Sequence, residues 1–339
     1  MQQAVRVAVF GFGGLGKGMA RLIPHRPDFK LVAVADSQGY AFDANSLDLD
    51  DNLALVQPIN SDSDSIISLL KAHAGEIDAV FMALPNLPVE FFAETVKRIA
   101  DETNFEGVFV DALKRTEAVE RLFALNEQLQ ERKILYITGA GATPGFLTTV
   151  AAIAAHSFVE VLDVNIHFGV GIANWEAYKA TVREDFIHLE GFDAKRVACM
   201  SDEEISEELE VRNGLLKLVD MEHADDIILE LAGVCPRDRV RVGGLVDTRN
   251  AKKPVSTTVT VTGRTVSGAV GSHQFVVSDE ATMVDNVCGP ALGFMLRGTE
   301  LYERGFYGLI TSADIMPRFS SRVFSGGEVS RMQEAALSV

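Results

Sequence analysis

The 339-residue chain carries 48 Asp and Glu against 31 Lys and Arg, a formal net charge of −17, and is 47% hydrophobic and 23% charged. That length and balance exclude a disordered chain and leave room for two domains with sizeable cores. The acidic surplus, with no Lys- or Arg-dense stretch, excludes a nucleic-acid footprint and disfavours an anionic membrane surface.

Val5 to Phe10 (VRVAVF) is β-branched, apolar and stopped by glycine, which predicts a strand buried on both faces. A helix from Lys17 follows and is closed by Pro24 and Pro27. Leu31 to Ala35 (LVAVA) predicts a second buried strand, ending at Asp36. Then come a helix over Asp64 to His73, a strand over Asp78 to Leu84, a helix over Val89 to Ala100, a strand over Gly107 to Val110, a long helix over Thr116 to Arg132 and a strand over Ile134 to Thr138. Strands alternating with helices imply a doubly wound parallel sheet. After about Pro144 the rhythm changes. A small-residue helix over Thr148 to Ala155 precedes the alternating strand Val159 to Val170. Arg183 to Val211 reads as a polar helix whose acidic run, Asp202 to Glu210, is a solvated face. Val240 to Val246, Ser256 to Thr262 and Ser267 to Val277 alternate like antiparallel strands, and Met283 to Leu296 returns to helix. The fold class is therefore α/β, a Rossmann sheet joined to an α+β domain with an open, mostly antiparallel sheet. The expected division is 1–143 with 285–339 for the first domain and 144–284 for the second.

Cys199, Cys235 and Cys288 are odd in number and widely spaced, fitting neither a disulfide framework nor a zinc site. The N-terminus reaches glycines before a signal core could form, and no apolar run approaches the ~18 residues of a membrane helix. Reduced thiols in a cytoplasmic protein are expected.

The motif richest in chemistry is Gly11-Phe12-Gly13-Gly14-Leu15-Gly16, a G-x-G-x-x-G set between a buried strand and a helix. The first glycine permits the turn, Gly13 admits a pyrophosphate to the backbone, and Gly16 lets helix and strand pack closely. A dinucleotide diphosphate would rest on the free N–H groups of the helix start. Asp36 ends the next strand about 20 residues further on, where an acid accepts the ribose hydroxyls of NAD. Ser37, Gln38 and Gly39 offer no arginine for a 2′-phosphate, so NAD is expected ahead of NADP.

The segments VRVAVFGFGGLGKG, LVAVAD, FVDALKRTEAVERLFALNEQ and ITGAGATPGFLT resemble the saccharopine dehydrogenase-like group of amino-acid dehydrogenases. The glycine loop and Gly141-Ala142-Thr143-Pro144-Gly145 are also similar to meso-diaminopimelate dehydrogenase, and ATMVDNVCGPALGFMLRG resembles the helix by which that family returns to its Rossmann domain. The resemblance implies an NAD(P)-dependent oxidoreductase that oxidises an amine at an amino-acid carbon or reduces an imine. It implies that Ala83, Leu84 and Pro85 pass the ribose and nicotinamide, and that Asp111, Ala112 and Lys114 edge the nicotinamide site, at the carboxyl ends of parallel strands.

Hydride transfer also needs a group to manage a proton. Lys114 follows a strand end facing the expected cleft and could give a proton or pair with a substrate carboxylate; it could equally be a solvated residue before the Thr116 helix. His167 and His273 are histidines on expected strands, and His273 is the preferred proton shuttle because it lies close to the returning helix. Asn174, Trp175 and Arg183 follow a second-domain strand; the arginine could hold a carboxylate, and the only tryptophan could simply pack. Thr143 is expected at the cofactor or substrate. No metal-ligand spacing appears, and no G-x-S-x-G elbow suggests a hydrolase. The partner expected is a small, amino acid-like substrate. A homodimer is expected through the second sheet, whose apolar face needs cover. Two rivals share the plan: a reductase of the homoserine-dehydrogenase or dihydrodipicolinate-reductase type, and an NAD-binding sensor without turnover.

Overall fold

The structure, a computed structural model, describes residues 4–47, 57–58, 64–84, 88–173, 175–278 and 282–320. The N-terminal elements run β1 (Val5–Phe10), α1 (Gly14–Leu22), β2 (Phe29–Asp36), β3 (Gly39–Phe42), β4 (Gln57–Pro58), α2 (Ser65–His73), β5 (Ala79–Met82), α3 (Glu90–Glu102), β6 (Gly107–Asp111), α4 (Thr116–Phe123), α5 (Asn126–Glu131), β7 (Ile134–Thr138) and α6 (Phe146–Ala155). The second region holds β8 (Glu160–Gly171), α7 (Lys179–Ile187), α8 (Ala194–Cys199), α9 (Asp202–Val211), β9 (Leu215–Leu218), α10 (Asp225–Leu231), β10 (Val240–Asp247), β11 (Thr257–Arg264) and β12 (Val270–Val277). Then α11 (Met283–Tyr302) and β13 (Gly308–Thr311) return to the first sheet.

Eight strands form that sheet in the order β13-β7-β6-β5-β1-β2-β3-β4. Its central strands pair in parallel, and only the β2–β3–β4 edge is antiparallel. The apolar runs within β1, β5, β6 and β7 follow from cover on both faces. Ala8, Val80, Phe109 and Tyr136 pack with Ile66, Val96 and Val119 on one side; Val7, Phe81, Val108 and Ile137 pack with Met19, Leu292 and Met295 on the other. Gly298 of α11 lies where a Cβ would stand 2.7 Å from the Ile137 side chain, so the returning helix sits hard against the sheet.

The second sheet runs β12-β11-β8-β10-β9, with β8 and β10 parallel and the other pairs antiparallel. Val164, Ile166, Phe168, Val242, Val246, Val259 and Val261 line one face and share a core with Leu147 and Ala151 of α6 and Val182 and Phe186 of α7. Asn165, His167, Thr258, Thr260 and Thr262 alternate with them on the other face, exposed or half-buried. This corrects the ground on which a dimer was expected: the apolar face is covered by the chain's own helices, and the open face is polar. The polar helix expected from Arg183 to Val211 is instead three helices. Gly191 turns left-handed at φ +84°, and Asp193 and Ser201 cap new starts by accepting the backbone N–H groups of Arg196 and Glu204. Among the described residues no helix is long and apolar enough to cross a membrane.

Candidate active site

The glycine loop opens into a cleft of about 980 Å³ between the two sheets, lined from both regions of the chain. Each glycine has a separate steric reason. Gly11 sits at φ +89°, and a Cβ there would lie 2.2 Å from the Ala83 carbonyl oxygen. A Cβ on Gly16 would lie 1.9 Å from the Gly11 carbonyl oxygen, so α1 packs against β1 only with glycine. At Gly13 nothing stands within 4 Å of the added carbon, which would project into open space. No side chain caps α1, leaving its first N–H groups for an anion. Asp36, at the end of β2, lines the same cleft with Ser37, while its Oδ1 accepts the Gln38 N–H at 2.8 Å. These residues fit a dinucleotide: a diphosphate on the helix start and a sugar at the carboxylate.

Phe12, Gly14, Leu15, Ala83, Leu84 and Ala112 also line the cleft. Pro85 and Asn174 lie outside the described residues. Asp111 is a correction. Its side chain is fully buried and turned away from the cleft, accepting N–H groups of Leu113 at 3.0 Å and Gly139 at 2.7 Å and the Thr138 hydroxyl at 3.0 Å. Burial pushes its carboxyl up to about 6 against those donors. It staples two strand-end loops together and is not among the residues lining the cleft.

Lys114 does reach the cleft, from the loop after β6. Its Nζ lies 2.9 Å from Asp185 Oδ1 and 3.3 Å from Glu184 Oε2, both nearly buried on α7. Burial acts to lower the lysine pKa, but the facing carboxylates outweigh it and hold the ammonium above the ordinary lysine range. Asp185 is pushed up by burial, against the lowering pull of Lys114. The nearby His188 is held down by burial and by the same ammonium. Glu184 and Asp185 were not singled out in the sequence.

The other expected substrate residues scatter. Thr143 lines the cleft, with its hydroxyl donating to Asp225 Oδ2 at 2.5 Å. Arg183 borders the cleft, but its guanidinium donates to the carbonyls of Val197 (3.2 Å) and Met200 (2.9 Å) and to Asp202 (2.7 Å). In doing so it clamps α7 to the end of α8 and the start of α9. Trp175 packs on the second region's core under Lys179, whose Nζ stands 5.4 Å from the ring centroid. His273 is exposed on the edge strand β12 against Phe158, outside the cleft lining, and His167 faces out from β8. The histidine that does line the cleft is His223, just before α10. Its Nδ1 stands 2.8 Å from Asp225 Oδ2, a hydrogen-bond distance, although the ring direction misses hydrogen-bond geometry. Tyr178 reaches across from the second region to the glycine loop, where a Cβ on Gly14 would meet its ring at 2.5 Å. Among the described residues no group of three His, Cys, Asp or Glu could hold a metal.

No protein-family model matches the chain. The (S)-8-amino-7-oxononanoate synthase BioU of Haloferax mediterranei is 37% identical over 351 aligned residues, spanning 93% of this chain and 99% of that protein. Among solved structures, a meso-DAP dehydrogenase mutant from Clostridium tetani E88, determined with DAP, superposes at a TM-score of 0.57 with 15% identity over 96% of this chain and 99% of its own. An engineered D-amino acid dehydrogenase bound to NADP+ superposes at 0.55 with 15% identity over 97% and 99%. The two-domain plan of such dehydrogenases is thus shared.

Proposed function

The chain belongs to the family of the (S)-8-amino-7-oxononanoate synthase BioU, and from that membership we propose that it is an NAD(P)-dependent enzyme acting at a nitrogen-bearing carbon of an amino-oxo carboxylic acid. The likeness to meso-diaminopimelate dehydrogenase is one of fold; the relative that covers nearly the whole chain is named for making an amino ketone acid.

The observation that carries the reading is a coincidence of two sites in one cleft. A glycine loop and acid suited to a dinucleotide share it with an ammonium held between two buried carboxylates. A bound nicotinamide would supply or take a hydride. The chain's own groups do the rest. Gly13 and the start of α1 seat the diphosphate, and Asp36 grips the adenosine ribose and disfavours a 2′-phosphate, so NAD is the preferred form. Lys114, kept as an ammonium by Glu184 and Asp185, can donate a hydrogen bond to a substrate heteroatom and orient it. In this reading the described residues within 1–143 and 285–320 form the nucleotide half, and those within 144–284 supply the substrate wall.

The test mixes the protein with each reduced and oxidised nicotinamide cofactor and with (S)-8-amino-7-oxononanoate, shorter amino-oxo acids and meso-diaminopimelate. Cofactor absorbance and product mass are followed. Cofactor conversion with the amino-oxo acids and none with meso-diaminopimelate is expected. Tight NADH binding with no conversion across the panel would replace this reading by that of a non-catalytic sensor.

A further inference from the structure

We propose that His223 is a catalytic acid–base group of this cleft and that Asp225 is the residue that positions it. The inference rests on the reading that the cleft handles an amine, and assigns the group that moves the amine's proton.

His223 is only 3% exposed, and the free space it borders is the cleft. Behind it lies Asp225, fully buried at the start of α10, with Oδ2 2.8 Å from His223 Nδ1. Asp225 is itself fixed from the opposite side. Thr143 donates to Oδ2 at 2.5 Å, and the buried Thr148 donates to Oδ1. Both threonines belong to the turn and first helical residues after β7, so two distant segments meet on one carboxylate. The 2.8 Å separation puts Nδ1 in reach of that oxygen, and the proposal requires the imidazole to turn about its broad terminal torsion to direct the Nδ1–H at it. A carboxylate behind Nδ1 selects the tautomer protonated there and leaves Nε2, at the other end of the ring, as a lone pair for the cleft. The Phe168 ring packs on the imidazole at 6.4 Å between centroids and limits its swing.

The chemistry asks for such a group. An amine carbon can lose a hydride only after its ammonium sheds one proton. Lys114 is poorly suited to take it, being held as an ammonium by Asp185 and Glu184, while Asp185 already accepts from Lys114. His223 Nε2 takes that proton and becomes imidazolium beside Asp225; in the reverse sense it returns it. Only N–H bonds change in this step. The charged groups around the ring are Asp225 and Asp226 on α10, Glu222 with its partner Arg115, and Lys114, whose carbonyl accepts the Ala224 N–H, with Glu184 and Asp185.

The experiment has two arms. Proton–nitrogen NMR of the imidazole in the free protein reads the tautomer directly. The Nδ1–H form is expected, shifting toward Nε2–H in Asp225→Asn. An Nε2–H ring in the unaltered protein overturns the proposal whether or not any substrate turns over. The second arm follows turnover of (S)-8-amino-7-oxononanoate with the cofactor against pH for the unaltered protein, His223→Gln and Asp225→Asn, with NADH fluorescence and melting temperature beside it. His223→Gln should lose at least ~100-fold in rate and flatten the acid side of the pH–rate profile, with NADH binding and melting unchanged. Retention of the rate within ~3-fold overturns the assignment, since a general base contributes ~100-fold or more. If the unaltered protein turns nothing over, the reading of the reaction falls and the tautomer result alone decides this one.

Discussion

Lys114, Glu184 and Asp185 bring a cation and two carboxylates out of water together, an arrangement whose members depend on one another. Removing one partner of a buried pair typically costs about 3–5 kcal/mol, because the remaining charge has no compensation. Lys114→Ala should therefore lower stability by roughly 3 kcal/mol at neutral pH. The pH dependence follows from Asp185. Its folded carboxyl is raised by burial, so the folded state holds more protons than the unfolded one, and stability falls as pH rises through that range. Without the lowering pull of Lys114 the raising is greater, so the variant's deficit should grow from acid to neutral pH. Urea unfolding at both pH values checks the sign; a deficit that is larger in acid removes the ion cluster from consideration. Turnover should vanish in the same variant while NADH quenching persists. The sequence displays Lys114 but not its partners, which lie about 70 residues away, next to Arg183 in the chain. His223 is hidden for the same reason: its neighbours Asp225, Thr143 and Thr148 meet only through the fold. Where one chain segment carries the whole device, as with the glycines and Asp36, the residues are legible in order.

The turn from β1 into α1 shows how an element can carry two functions that substitution separates. A Cβ on Gly13 meets nothing, whereas one on Gly16 meets the Gly11 carbonyl at 1.9 Å. Gly13→Ala should melt within about 1 kcal/mol of the unaltered protein yet lose NADH affinity at least ~10-fold, because the methyl group occupies the diphosphate's approach. Gly16→Ala must push α1 off β1, an overpacking cost of about 1–3 kcal/mol, and should weaken both melting and binding. Calorimetric titration with NADH beside thermal melting distinguishes them; equal behaviour of the two would mean that the loop does not cradle a phosphate. The strands of this half are legible because burial on both faces leaves apolar runs of four or five residues within β1, β2, β5, β6 and β7. The short edges β3, β4, β9 and β13 are not, since two to four residues hold no period. The long helix expected over 116–132 is broken into α4 and α5 at Ala124 and Leu125, a break without proline or glycine to announce it.

At the scale of the molecule, the two sheets are fastened by more than the chain crossing between them. Residues of α10, which lies between β9 and β10 in sequence, divide their side chains: Ile227 and Ile228, with Ala224 before them, enter the core of the first sheet, and Leu229 enters the second. Thr116, the first residue of α4, donates to Asp226 at 2.8 Å, and Ala224 donates its N–H to the Lys114 carbonyl at 2.8 Å. α11 and β13 then bring the later chain back across the first sheet. A division at 144–284 would thus strip buried isoleucines from one core, each worth about 1.5–3 kcal/mol of burial. The chain should accordingly unfold in one cooperative transition despite its two sheets. Fluorescence of the single tryptophan, Trp175, which packs on the second core, reports that half; far-ultraviolet circular dichroism reports the whole. Coincident curves in guanidinium are expected, with both midpoints moving up together when NADH is added, because a ligand that binds only the folded cleft stabilises everything that builds it, by about 2.7 kcal/mol at a hundredfold excess over its Kd. Two separated transitions, with the tryptophan indifferent to NADH, would show that the halves are independent and that the cleft is not a shared site.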